Sequence, residues 1–153
     1  EIHERLVGSE MCIRDRQCDI MKISEEEVAF VSEQESLEKG VSFIRDNSDI
    51  KILFVTLGNK GSIAYYKDEK IYCGGIHQEH VVDTTGAGDT FCGAVLSRIL
   101  ELGTDALTEK DIREMLLFAN AAASIVVTRK GALCSMPEPE EIRAASSLID
   151  KVL

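Results

Sequence analysis

Three observations in this 153-residue chain predict an α/β fold. Apolar runs of strand length alternate with helix-start signals. One of those runs, residues 51–57 (KILFVTL), is almost continuously apolar, the pattern of a strand covered on both faces of a parallel sheet. Three stretches with helical spacing then close the chain. The length suits one domain at the usual ~100 to 200 residues. Hydrophobic residues are 44% and charged residues 29%. Both are near the soluble averages of about 45–50% and about 25%, which excludes a disordered tail. A chain of this length buries ~70% of its unfolded surface, so its core requires neither disulfides nor a structural metal.

In order, residues 18–23 form a short apolar run that suits a strand. Ser24 with Glu25, Glu26 and Glu27 then reads as an N-cap followed by acids in the first turn, where the helix dipole favours them. A second helix is expected over residues 36–46, and a buried strand over 51–57. Residues 61–66 and 70–73 flank the polar loop Lys67-Asp68-Glu69, the pattern of an antiparallel hairpin, and residues 79–82 suit one more short strand. Helices are expected over residues 91–102, 108–127 and 138–152, the last two opened by Leu107-Thr108 and Pro137-Glu138. No repeat or linker divides the segment, so residues 17–153 read as one unit.

Residues 1–16 are set aside as a leader. They open at Glu1 without the apolar region of a signal peptide. Their stretch LVGSEMCIRDR has neither structural period and resembles translated sequencing-adaptor sequence.

The formal charge of −10 repels phosphate backbones and anionic lipid, so neither nucleic acid nor a membrane surface is an expected partner. No apolar run approaches the ~20 residues of a bilayer span. Five cysteines (Cys12, Cys18, Cys73, Cys92, Cys134) with no CxxC pair fit neither a disulfide framework nor a zinc site, which points to a reducing cytoplasm. His77 and His80 read as solvated loop residues, and Cys92 and Cys134 as small hydrophobes.

The stretch VDTTGAGDTFCGAV, residues 82–95, carries the most chemistry. Gly86, Ala87 and Gly88 leave backbone N–H groups unshielded where a helix begins, and those donors and the positive dipole end suit an anion such as phosphate. Asp89 lies in the same first turn, where a carboxylate beside bound phosphate is repelled unless it handles a proton or a metal. The alternative is that Asp89 only caps the helix. Neither a Walker A loop nor a dinucleotide glycine fingerprint is present, since Phe91 stands where the latter requires glycine.

The string DTTGAGDTF resembles the carboxyl-terminal signature of the ribokinase-like, PfkB-type carbohydrate kinases. KILFVTLGNKG (51–61) resembles the TLGxxG turn of that family, and NAAASIVVTRKGALCS (120–135) its late helix and TRKGA loop. IMKISEEE (20–27) resembles its NxxE region, with Ser24 in place of Asn as in fructokinases. The resemblance implies a three-layer α/β/α fold with a mostly parallel sheet, of which only the carboxyl-terminal half is present. It implies ATP and Mg²⁺ as cofactors, K⁺ as a further ion, a sugar as substrate and a homodimer in the full-length protein.

The resemblance assigns roles residue by residue. It makes Asp89 the base that deprotonates a sugar hydroxyl, and Gly86, Ala87 and Gly88 the anion hole. Thr56, Gly58 and Gly61 match the phosphate-holding turn, and Asn120 lies near the adenine, although an Asn in an Ala-rich helix can equally bond internally. Glu27 matches an acid that organises Mg²⁺ through water, and Asp83, Thr85, Val126, Gly131 and Ser135 match a monovalent-cation loop. The expected activity is transfer of the γ-phosphoryl group of ATP to a sugar. A binding-only relative and an inactive structural fragment are the alternatives.

Overall fold

The computed structural model describes residues 18–149, with the side chains of 147–149 excepted. The proposed leader, residues 1–16, and the end of the last predicted helix lie outside the described residues. Among the described residues four strands form one open sheet in the order β1 (Ile20–Ser24), β2 (Ile52–Thr56), β3 (Gly61–Tyr66), β4 (Glu69–Gly74). The helices among the described residues are α1 (Glu25–Ser32), α2 (Leu37–Asp46), α3 (Ala87–Leu102), α4 (Glu109–Val126) and α5 (Pro139–Ile149). Backbone contacts divide the chain into two compact units. The first is the described part of Glu1–Thr56 with Ala64–Lys70, and the second is Leu57–Ile63 with the described part of Ile71–Leu153.

In the first unit β1 and β2 pair in parallel, with Ile20 opposite Ile52 and Ser24 opposite Thr56. Ile52, Leu53, Phe54 and Val55 are all buried, as their unbroken apolar run requires. Ser24 turns the chain from β1 into α1 through a reciprocal capping box. Its Oγ accepts from the Glu27 N–H at 3.2 Å, and the Glu27 carboxylate accepts from the Ser24 N–H at 2.7 Å. α2 buries Gly40, Val41 and Ile44, the i, i+4 face of an amphipathic helix. The hairpin turn is the two residues Lys67-Asp68, with Glu69 already in β4, and a link this short permits only antiparallel strands. Arg45 donates to the Lys67 carbonyl, and Lys70 pairs with Glu38 at 3.3 Å.

Gly40 on α2 lies close against α1. A Cβ there would lie 2.6 Å from Val28 Cγ1 and 2.7 Å from Ser32 Oγ, both on α1. Gly40→Ala is therefore expected to destabilise the protein. Overpacking of this kind costs about 1–3 kcal/mol, which outweighs the gain in helix propensity of at most about 1 kcal/mol. Urea titration checks it, and adding Val28→Ala should recover part of the loss; an unchanged midpoint would contradict the close contact.

In the second unit α3 packs on α4 and α4 on α5. Thr108 caps α4 reciprocally with Asp111, and Pro139 opens α5 as its first residue, where its missing N–H costs nothing. Two expectations need correction. Residues 79–82 form no strand; instead the N–H groups of Val82 and Asp83 both donate to the Val127 carbonyl just past α4, at 2.8 and 3.2 Å. That single acceptor replaces a ladder. The helix expected from residue 91 begins at Ala87, so GAGD itself forms its first turn. No helix among the described residues is long and apolar enough to cross a membrane.

Candidate active site

The start of α3 is built by Gly86. This residue is the N-cap, with φ 83° and ψ −2°, a left-handed conformation that glycine adopts without steric cost. A Cβ on it would also lie 3.0 Å from the Ala132 Cβ, so the 130–135 loop rests against this turn. The Ala87 N–H donates to the Thr84 carbonyl at 3.2 Å, and the first helical bond runs from Thr90 N–H to Gly86 O at 2.8 Å. The N–H groups of Gly88 and Asp89 therefore precede the helical ladder and have no acceptor within it. Gly86, as the N-cap, offers no side-chain cap bond, and Asp89 is the acidic residue of the first turn. Gly86, Ala87 and Gly88 are half-buried and Asp89 is exposed. Free donors and a positive dipole end thus adjoin an accessible carboxylate.

Asp83 ties two loops together beside this turn. Its Oδ1 accepts from the Thr85 N–H at 2.9 Å and its Oδ2 from the Gly131 N–H at 3.1 Å. Hydrogen bonds from the Thr85 hydroxyl, the Thr85 N–H and the Gly131 N–H hold its carboxyl below the usual carboxylate range. Ser135 is buried and its Oγ donates to the Lys130 carbonyl at 2.9 Å, closing the 130–135 loop on itself. Asp83, Thr85 and Gly131 are thereby brought together directly, with Ser135 on the same loop. The Val126 carbonyl accepts from Arg129 N–H at 3.1 Å; it is the carbonyl of Val127, one residue on, that meets residues 82 and 83.

Asn120 is buried in α4 and its amide is engaged internally. Its Oδ1 accepts from Ser62 Oγ at 2.9 Å, and its Nδ2 donates to the carbonyls of Cys73 and Gly74 at 3.2 and 3.1 Å. Both amide protons are engaged, so Asn120 braces Ser62 of β3 against the Cys73 and Gly74 carbonyls of β4. Gly61 lies in the same knot. Its φ is 111°, and a Cβ there would stand 2.2 Å from the Cys73 carbonyl oxygen and 2.5 Å from the Gly75 nitrogen. Gly58 differs: its φ is 59°, with nothing within 4 Å of an added Cβ. Ser62, Gly75 and Ala132 are thus site-shaping residues that sequence reasoning missed. The Gly74-Gly75 pair at the end of a strand was the one local signal for them.

Glu27 and Thr56 belong to the first unit. Thr56 ends β2, half-buried. The Ser24 N–H holds the Glu27 carboxyl below its usual range, against a smaller opposing effect of desolvation. One Glu27 oxygen is committed to that bond. Among the described residues no three His, Cys, Asp or Glu side chains cluster as a metal site, and Cys18, Cys73, Cys92 and Cys134 form no disulfide.

Known proteins match this arrangement in sequence and in fold. The chain is 40% identical over 128 residues to fructokinase-1 of Zea mays and 39% identical over 128 residues to fructokinase-1 of Oryza sativa subsp. japonica. Each match takes in 82% of this chain and 39% of the relative, so the chain spans about two fifths of the length of these relatives. Among solved structures, fructokinase from Vibrio cholerae O395 in its fructose, ADP and calcium ion bound form superposes with a TM-score of 0.82 at 29% identity. That match covers 92% of this chain and 44% of that one. Ribokinase of Arabidopsis thaliana complexed with ribose and ATP gives 0.72 at 34% identity, covering 84% and 40%. The fold is therefore ribokinase-like, as the motifs predicted. Residues 10–139 match the pfkB family of carbohydrate kinases, a match that starts within the segment set aside as a leader, and the chain belongs to that family.

Proposed function

We propose that this chain carries the phosphate cradle and the proton acceptor of an ATP-dependent sugar kinase of fructokinase type. The observation that supports this most directly is the start of α3, where two N–H donors outside the helical ladder adjoin the exposed Asp89. In this reading Asp89 takes the proton of the acceptor hydroxyl as its oxygen attacks the γ-phosphorus. The bond from phosphorus to the bridging oxygen breaks, and ADP leaves with that oxygen. Gly86, Ala87 and Gly88 turn their backbone toward the charge that develops on the transferring oxygens; Thr56, Gly58 and Gly61 supply the second phosphate-holding turn.

Magnesium and potassium fit the residues in different ways. With one oxygen bonded to Ser24, Glu27 keeps the other for a magnesium-bound water, which suits an ion that sheds its waters reluctantly. When bound, Mg²⁺ supplies neutralisation of the polyphosphate. The oxygen donors of Asp83, Thr85, Val126, Gly131 and Ser135 suit a hard cation such as K⁺. Asn120 acts from behind, holding the strand ends next to the phosphate turn.

The test is nucleotide binding followed by turnover. ATP with Mg²⁺ should raise the melting temperature of the chain, and Gly88→Val, whose branches would occupy the space of a bound phosphate, should abolish that rise while its ligand-free melting curve stays close to the parent's. In a chain completed to the length of its relatives, fructose should be phosphorylated faster than ribose, and Gly88→Val should lower turnover about 10²-fold or more. A folded Gly88→Val variant with near-normal binding and turnover would place the phosphate elsewhere.

A further inference from the structure

We infer that Lys130 is a phosphate contact of this site, reaching the outer phosphates of a nucleoside triphosphate from the loop beside α3. This rests on the reading of the α3 start as the anion site. Three structural observations carry it. Lys130 immediately precedes Gly131, whose N–H is bonded to Asp83, and Ala132, which rests against Gly86, so its backbone is fixed next to the first turn of α3. Its own carbonyl is held by Ser135 Oγ at 2.9 Å, which fixes the loop from the other side. The side chain is exposed, and its charge interacts with the Asp83 carboxylate.

Among the described residues of its unit, the arginines and Lys110 are held in ion pairs, whereas Lys130 acts on Asp83 only at electrostatic range. Arg129, its neighbour, is paired with Glu141; Arg98 pairs with Glu101, Lys110 with Glu114, Arg113 with Glu109 and Arg143 with Glu140. The charge balance shows why a cation matters at this position. The protein as a whole carries −10, and Asp83 and Asp89 put two carboxylates beside the turn that is to receive a polyanion. Backbone donors and a helix end offset only part of that repulsion, since the helix terminus is worth about half an elementary charge. Lys130 supplies a whole one, on a flexible stem that suits a mobile phosphate tail. Its charge also favours the ionised form of Asp83, which places the two groups within electrostatic reach.

The experiment measures binding of inorganic tripolyphosphate and of ATP to the purified chain by calorimetry at low salt, for the parent, Lys130→Met, Lys130→Arg and the control Lys110→Met. Charge-assisted contacts to phosphate predict that Lys130→Met weakens tripolyphosphate about 10-fold or more, that Lys130→Arg recovers most of the loss, and that Lys110→Met stays within about twofold. Melting curves should coincide, because Lys130 is exposed. Equal weakening by both Met variants would reduce Lys130 to a share of the general field and overturn the inference. An unchanged Lys130→Met would overturn it while leaving the α3 site standing. A parent chain that binds neither ligand would overturn the α3 reading and this inference together.

Discussion

Asp89→Asn, in a chain completed to the length of its relatives, is expected to lower kcat for sugar phosphorylation by about 10²- to 10⁴-fold while leaving ATP affinity within a few-fold. The substitution keeps the shape of the side chain and removes only its ability to take a proton. Its structural cost is small: Asp89 is exposed, and no side-chain cap bond is present at this end of α3 for the change to break. Loss of a carboxylate from a first helical turn costs about 0.3–1 kcal/mol. A fall in kcat without a matching fall in stability therefore reports chemistry. Turnover within threefold of the parent, measured by sugar phosphate formed, would remove Asp89 from the role of base and return it to that of a favourable first-turn charge.

Gly61→Ala is expected to have the largest effect on stability of any single methyl addition in the second unit. The added Cβ would stand 2.2 Å from the Cys73 carbonyl oxygen, a backbone atom with no rotamer to escape into, at a φ of 111° that side chains do not adopt. Relief requires β3 and β4 to move apart where they also hold Asn120, so the bonds from Asn120 to Cys73 and Gly74 weaken with it. Backbone strain of about 1–3 kcal/mol combines with loss of buried hydrogen bonds, each leaving a polar group at about 1–3 kcal/mol. That sum is a large part of the ~5–15 kcal/mol by which a domain is stable, so the variant should melt many degrees lower or fail to fold. Gly58→Ala is the matched comparison. It also needs positive φ but meets open space, so its loss should stay near about 1–2 kcal/mol. Equal melting temperatures for the two variants would show that the close approach at Gly61 is relieved without strain.

The same contrast marks what the sequence by itself determined and what only the tertiary structure decided. Features set by residues a few positions apart were legible. Ser24 and Glu27 are three apart and form the capping box that the acidic helix start suggested. The apolar run through Ile52–Thr56 is a buried parallel strand, and GAGD, four consecutive residues, marks the helix start on which the proposed chemistry rests. Where local signals were short or balanced, the boundaries moved: Gly86 reverses the chain and starts α3 four residues early, and the Val127 carbonyl takes the N–H groups of Val82 and Asp83 that a strand would have paired. Features that join distant segments left no local mark. Asn120 meets Ser62 across 58 positions and Gly74 across 46, and Gly131 meets Asp83 across 48. Both TLGNKG glycines read alike in sequence, yet Gly61 faces another backbone at 2.2 Å and Gly58 faces none within 4 Å. Propensity, capping and period act along the chain within a turn or two. Close packing and buried hydrogen bonds are settled only when remote segments compete for the same space and the same donors.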